Sequence, residues 1–133
     1  MPNYVTDTHG LIWYLTNSAR LGIRARAAFD SCDQGEGTIY IPTICIVEII
    51  YLQEKGRIPL DMHQKLDREL AEKTGVLVLS DLTYAVAKQV KNTAYDKVPD
   101  MPDRIIAATA LTLGLPLISR DRKIRATHLA TVW

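Results

Sequence analysis

Short β-branched or apolar runs alternate with helix-length amphipathic stretches along this whole chain, and that alternation restricts the fold more than any other feature. Runs this short cannot build helices, and parallel strands need long crossovers of the kind helices supply. Strands are expected at Tyr4–Thr6, Thr38–Ile41, Val76–Leu79, Leu117–Ser119 and Thr131–Trp133. Helices are expected at Thr8–Thr16, Ile23–Cys32, Thr43–Lys55, Leu60–Thr74, Asp81–Asn92 and Pro102–Leu113. Gly56 and Gly75 stand where a left-handed residue would stop the third and fourth helices, and Gly114 followed by Pro116 closes the last. The pattern reads as βαβ units, an α/β fold with a central parallel sheet of about five strands flanked by helices. The longest irregular stretch, Thr93 to Met101, is too short to divide the chain, so residues 1–133 read as one domain. With 133 residues, 47% of them hydrophobic, such a chain can bury about two-thirds of its unfolded surface in one core.

Several function classes fall away on composition. Cys32 and Cys45 are the only cysteines and have no CxxC spacing, so they read as small core residues of a reduced, cytoplasmic protein rather than as a disulfide or zinc site. The stretch Met1–Asp7 has no basic patch and apolar segment of the export type, and no apolar run approaches the roughly 18 residues of a membrane span. A net charge of +1, from 16 basic and 15 acidic residues, does not announce a nucleic-acid binder. Its distribution is uneven: from Val86 to Trp133, Lys88, Lys91, Lys97, Arg104, Arg120, Arg122, Lys123 and Arg125 face only Asp96, Asp100, Asp103 and Asp121.

The placement of four acids is more telling. In open α/β sheets the functional crevice lies beyond the carboxyl ends of the strands. Asp7 directly follows the first expected strand, and Asp121 follows Leu117-Ile118-Ser119. Glu48 lies in the helix after Thr38–Ile41, near enough to its start to reach the same edge, and Asp103 occupies the first turn of the helix opened by Pro102. Each also has a purely structural reading, since Asp after a strand caps helices and first-turn acids suit the helix dipole. Asp81, after Val76–Leu79, is an ordinary cap of this kind. Glu48 fits the structural reading least: its neighbours Ile44 to Leu52 are almost all apolar, and a carboxylate there needs a metal, a buried arginine or hydrogen bonds.

These residues resemble the PIN-domain superfamily and, within it, the VapC-like toxins of type II toxin–antitoxin systems. Val5-Thr6-Asp7-Thr8-His9-Gly10-Leu11-Ile12-Trp13 is similar to the family's first acidic motif, a strand running into "DTH-x-LLW". Ile41-Pro42-Thr43-Ile44-Cys45-Ile46-Val47-Glu48-Ile49 resembles the second. Asp100-Met101-Pro102-Asp103-Arg104-Ile105-Ile106-Ala107-Ala108-Thr109-Ala110 resembles the third, and Gly114-Leu115-Pro116-Leu117-Ile118-Ser119-Arg120-Asp121 the fourth, in which Ser or Thr two residues before Asp belongs to the pattern. The motifs stand in family order over nearly the whole chain. The resemblance implies a parallel sheet flanked by helices, metal-dependent RNA cleavage by Asp7, Glu48, Asp103 and Asp121, dimerisation to a homodimer, and inhibition by a cognate antitoxin. The family often has Ser where Cys45 stands, and Thr43 is the nearby hydroxyl that would substitute. Asp100 is either an outer acid or a cap.

Hard oxygen donors, with His9, His63 and His128 scattered, select Mg2+ or Mn2+ over zinc. Asp7 and Asp103 are the expected direct ligands, Glu48 and Asp121 direct or water-mediated ones, with Ser119 holding Asp121 or a metal-bound water. Phosphodiester hydrolysis by metal-activated water is the chemistry such a set supports. Arg120, Arg122, Lys123 and Arg125, with Arg104, are expected to grip RNA phosphates, the alternative for the run being a solvated charged loop or helix. Apolar Leu11, Ile12, Trp13 and Leu15, and Ile46, Ile49, Ile50 and Tyr51, exceed what a small core hides and are expected to include a groove for an antitoxin helix or a dimer contact. A HAD-like phosphatase would show Asp-x-Asp where Asp7-Thr8-His9 stands, and a receiver domain would show a lysine after its last strand. The other surviving reading is a non-catalytic PIN-like module that binds RNA or a protein.

Overall fold

The computed structural model describes residues 2–94 and 96–133; Met1, and Tyr95 within the expected irregular stretch, lie outside the described residues. Five strands form one sheet: β1 Tyr4–Thr6, β2 Ile39–Pro42, β3 Leu77–Ser80, β4 Leu117–Ile118 and β5 Thr131–Val132. Their order is β3-β2-β1-β4-β5 and every pairing is parallel, as the alternation requires. The first strand of the chain is therefore the central one, with Val5 flanked by Tyr40 on one side and Leu117 on the other. β2 begins one residue later than expected: the Thr38 carbonyl accepts the Tyr4 N–H of β1 at 3.0 Å, but the Thr38 N–H donates to the Asn3 side chain, Oδ1 at 2.9 Å, and its hydroxyl to the Gly75 carbonyl at 2.8 Å.

The helices are α1 Thr8–Leu15, α2 Ile23–Asp33, α3 Ile44–Glu54, α4 Met62–Glu72, α5 Tyr84–Gln89, α6 Met101–Leu113 and α7 Arg122–Arg125, with a 3-10 turn at Val90–Asn92. α5 starts later than Asp81 because Thr83, not Asp81, caps it, accepting from the Val86 N–H at 3.2 Å. α6 is bounded at both ends by local chemistry. Asp100 accepts from the Asp103 N–H, Pro102 sits in the first turn, and Gly114 closes the helix at φ 66°. The charged run after β4 forms α7, of which only Ile124 is buried.

Val5, Ile39, Ile41, Leu117 and Ile118 of the sheet, Phe29 of α2 and Ile106 of α6 form the centre of the core. α1 corrects one expectation. Leu11, Ile12, Trp13 and Leu15 are all buried, because this helix is packed against α2, α3 and α4 and has no free apolar face. α3 is divided: Cys45 and Ile49 are buried, whereas Val47 (47% exposed), Ile50 (43%) and Tyr51 (59%) face outward. No helix among the described residues is long and apolar enough to cross a membrane.

Candidate active site

With β1 in the middle, the chain turns left to β2 and β3 and right to β4 and β5, so the β1–β4 seam is where strand order reverses and where a crevice opens. Asp7 leaves β1 at that seam, its N–H donating to the Ile118 carbonyl at 3.0 Å. The Asp7 carboxylate caps α1 by accepting the Gly10 N–H at 2.8 Å. Only glycine allows this approach: a Cβ on Gly10 would lie 2.9 Å from Thr6 Oγ1 and 3.0 Å from Asp7 Oδ1. The Asp7 carboxylate therefore caps α1 and also lines the cleft, and its pKa is raised. Burial drives that rise, the Gly10 N–H and the Ser119 side chain oppose it, and the Asp121 charge adds to it.

Glu48 reaches the same place from α3. Its compensating partner is the Thr8 hydroxyl, which donates to Oε1, rather than a buried arginine. Cys45 is fully buried beneath it with Sγ 3.9 Å from the Thr6 carbonyl, and burial raises its thiol pKa. Thr8 thus supplies the hydroxyl contact that sequence assigned to Thr43. Thr43 stays in the β2–α3 turn, its N–H on the Ser80 carbonyl at 3.1 Å, and does not line the cleft.

α6 brings Asp103, with Asp100 one turn earlier as its cap at 3.2 Å. Asp100 is a cap and also lines the cleft, so the two alternatives coexist. Asp103 has its pKa pushed up to about 7, first by burial and then by the charges of Asp100, Asp121, Glu48 and Asp7. Asp121 follows β4, caps α7 by accepting from the N–H groups of Lys123 (2.8 Å) and Ile124 (3.3 Å), and donates its own N–H to Ser119 Oγ at 3.1 Å. Ser119, fully buried, bridges two acids, since its side chain also hydrogen-bonds Asp7.

Asp7, Glu48, Asp100, Asp103 and Asp121 line one cleft of about 590 Å3. Its acids offer oxygen donors, and the mutual repulsion on Asp103 is what a divalent cation would relieve. The carboxylates face one another at a distance, however. Among the described residues no three acidic, histidine or cysteine side chains close tightly enough to grip a bare ion.

Of the expected phosphate contacts, Arg120 lines the cleft, its guanidinium 4.6 Å from the centre of the Trp13 ring. Arg122, Lys123 and Arg125 line a neighbouring concavity. Arg104 is placed elsewhere: it donates to Thr93 Oγ1 and the Val90 carbonyl, both at 2.9 Å, and ties α6 to the 3-10 turn. Two cleft arginines escaped the sequence reading. Arg20 lies 6.0 Å from the Trp13 ring centre, in a turn set by Asn17 at φ 52° and by Ser18 Oγ accepting the Arg20 N–H at 3.1 Å. Arg57 is swung back by the left-handed Gly56, its N–H on the Leu52 carbonyl at 2.9 Å. Gly56 was the available signal for Arg57; for Arg20 only the turn residues Asn17-Ser18 stood out. His9 is exposed, lines the cleft and packs its ring 5.4 Å from that of Trp13.

The sequence profile of the family described as PIN domain matches residues 4–128. Over 137 aligned positions covering all of both chains, the sequence is 26% identical to a protein of Mycobacterium tuberculosis named "Ribonuclease VapC22". Among solved structures, it is similar to VapBC2 from Rickettsia felis bound to a DNA fragment from its promoter, with a TM-score of 0.71, 16% identity and coverage of 97% of this chain and 96% of that one. It is also similar to a toxin–antitoxin complex from Klebsiella pneumoniae, with a TM-score of 0.65, 23% identity and coverage of 98% and 96%. DNA-bound VapBC from Salmonella typhimurium gives a TM-score of 0.67 at 17% identity, with coverage of 98% and 97%. At these identities the solved structures show the shared fold.

Proposed function

This chain belongs to the PIN domain family, and from that premise we propose that it is a Mg2+- or Mn2+-dependent endoribonuclease, the toxin of a toxin–antitoxin pair acting in the cytoplasm. The observation that carries the reading is the meeting of Asp7, Glu48, Asp103 and Asp121 in one cleft at the β1–β4 seam. The name of the mycobacterial relative supports RNA as substrate, and the VapBC neighbours support an antitoxin as partner.

Asp7 and Asp103 would hold the cation, with Glu48 and Asp121 contacting it directly or through water. Bound there, a divalent cation supplies the charge that lets water attack phosphorus near neutral pH and that stabilises the leaving oxygen. The chain's own part is positional. Gly10 and Ser119 fix the Asp7 carboxylate, Thr8 fixes Glu48, and the α7 N–H groups fix Asp121. Arg20, Arg57 and Arg120 on the cleft wall face the substrate's phosphates. The outward Val47, Ile50 and Tyr51 of α3 offer an apolar surface for an antitoxin helix or a second copy in a homodimer.

The decisive measurement is cleavage of a labelled RNA with metal added and withheld: activity appears with Mg2+ or Mn2+ and disappears in EDTA. Full activity in chelator overturns the metal mechanism. The open spacing of the carboxylates favours one other reading, a non-catalytic module that binds RNA or a protein. It predicts RNA binding without cleavage in every metal tried.

A further inference from the structure

The cleft does not end at its carboxylates. Arg120 and Asp121 form one edge of it and are also the near wall of a second concavity of about 670 Å3, continued by Arg122, Lys123, Arg125 and Trp133. Arg125 and Trp133 open in turn onto a third, of about 550 Å3, which reaches Gly22 and Arg24 at the start of α2. The three concavities adjoin through shared lining residues as a groove, and beyond Asp121 every charged side chain lining it, among the described residues, is basic.

Among the described residues, Trp133 is the single aromatic residue of the two outer concavities, and it is held in place. Its ring meets Trp13 edge-on, with centroids 5.7 Å apart and planes at 65°. Its main-chain carbonyl accepts the N–H groups of Arg24 (3.1 Å) and Ala25 (3.3 Å), fixing it against α2. At the junction with the cleft, Arg120 is held over Trp13.

We infer that this groove carries the RNA strand on one side of the scissile phosphate, with Arg24, Arg120, Arg122, Lys123 and Arg125 meeting backbone phosphates and Trp133 stacking on a base. A track of cations with an interposed ring is what a single strand needs, since every base has a face to stack and every link a charge to neutralise. An acidic protein segment would use the cations and leave the ring idle. The inference rests on the ribonuclease reading of the cleft and extends it to the path of the substrate.

The experiment is binding of a fluorescein-labelled single-stranded RNA of about 12 nucleotides, followed by anisotropy in EDTA over a range of salt, with RNA integrity checked on a gel. Each phosphate contact to a single strand contributes about −0.7 to the slope of log K against log salt. Arg24 and Arg125 are exposed, so Arg24→Gln/Arg125→Gln keeps the fold while reducing the slope's magnitude by about 1.4. Trp133→Leu weakens binding at least about fivefold with the slope unchanged, and Trp133→Phe restores most of it. A parental slope in the arginine variant overturns the groove. So does a poly-glutamate peptide that binds the parent more tightly than RNA does and is lost in that variant, which would assign the surface to an acidic protein. A protein that cleaves RNA with Mg2+ but shows neither effect keeps the ribonuclease reading and loses the groove. One that shows both effects but never cleaves keeps the groove as an RNA-binding surface and loses the ribonuclease reading.

Discussion

Two groups of acids sit at the two ends of α1, and they are treated in opposite ways. At its C-terminal end Asp33 of α2 and Glu69 of α4 each lie 2.9 Å from Lys73 Nζ, which also donates to the Tyr14 hydroxyl at 2.6 Å and lies over its ring at 5.0 Å. Tyr14 in turn stacks on Phe29, with ring centres 4.3 Å apart. Burial works against the Lys73 charge, but the bonds to Tyr14, Glu69 and Asp33 outweigh it and hold the ammonium above its ordinary range. At the N-terminal end five carboxylates share a cleft, and among the described residues none of them forms an ion pair. The same residue types therefore clasp three helices in one place and repel one another in the other. Acids brought together in a fold stabilise it when a cation pairs with them; where they form no ion pair, they raise one another's pKa, as at Asp103, and the arrangement is maintained at the expense of stability.

The most severe way to test this contrast is Asp103→Asn, which keeps the shape of the cleft and removes one charge. RNA cleavage and growth arrest on expression should fall by at least about 100-fold. The metal-free variant should nevertheless melt no lower than the metal-free parent, and Mg2+ or Mn2+ should raise the melting temperature of the parent more than that of the variant. A drop in metal-free stability with cleavage intact would mean that Asp103 is only a first-turn partner of the helix dipole.

A smaller effect is expected at the other end of α1. Lys73→Met leaves Asp33 and Glu69 without their cation, and the partial exposure of all three side chains limits the loss to about 1–2 kcal/mol in chemical denaturation. Stability equal to the parent's would show that the clasp is no better balanced than the cleft.

The finest test uses pH. The folded protein holds a proton on Asp103 more tightly than the unfolded chain does, so metal-free stability should rise as pH falls from about 7 towards 4, and Asp7 contributes with the same sign. Allowing for solvent screening, about 1 kcal/mol is expected between pH 7.5 and 5.5. Lys73 stays charged throughout and adds nothing. Asp100→Asn keeps an acceptor for the Asp103 N–H but removes the neighbouring charge that most disturbs it, so it should flatten this dependence and alter stability at neutral pH by less than about 0.5 kcal/mol. An unchanged pH profile would remove Asp100 from the electrostatics of the cleft.

Much of this is legible in the amino-acid sequence, and the reason is local. Strand and helix periods, the Asp100–Pro102 start and the Gly114 stop are written over a few neighbouring residues, and strand ends place Asp7 and Asp121 on one rim. What escaped depends on contacts between distant segments. Leu11 and Trp13 looked like surplus surface because nothing local reveals that three helices enclose α1. Arg104 looked like a phosphate ligand because its tie to Thr93 crosses a turn. Arg20 and Arg57 reach the cleft only through left-handed turns at Asn17 and Gly56, and the Lys73 clasp joins residues of α1, α2 and α4 that no periodicity connects. Glu48 stood out among apolar neighbours as a carboxylate in need of compensation, but which group supplies its hydrogen bond, the Thr8 hydroxyl forty residues away, no local pattern reveals.

The position of β1 at the centre of the sheet has a consequence in time as well as in space. It is made before the other four strands of the sheet, and its β4 neighbour begins only at Leu117. At ribosomal speeds of about 5–20 residues per second, roughly 5–20 s pass with one edge of β1 open. Ser119, Arg120 and Asp121 arrive with the strand that shuts that edge. The seam that must stay open longest during synthesis is thus the seam that becomes the cleft, so the polypeptide cannot assemble its chemistry piecemeal and acquires it in a single late closure.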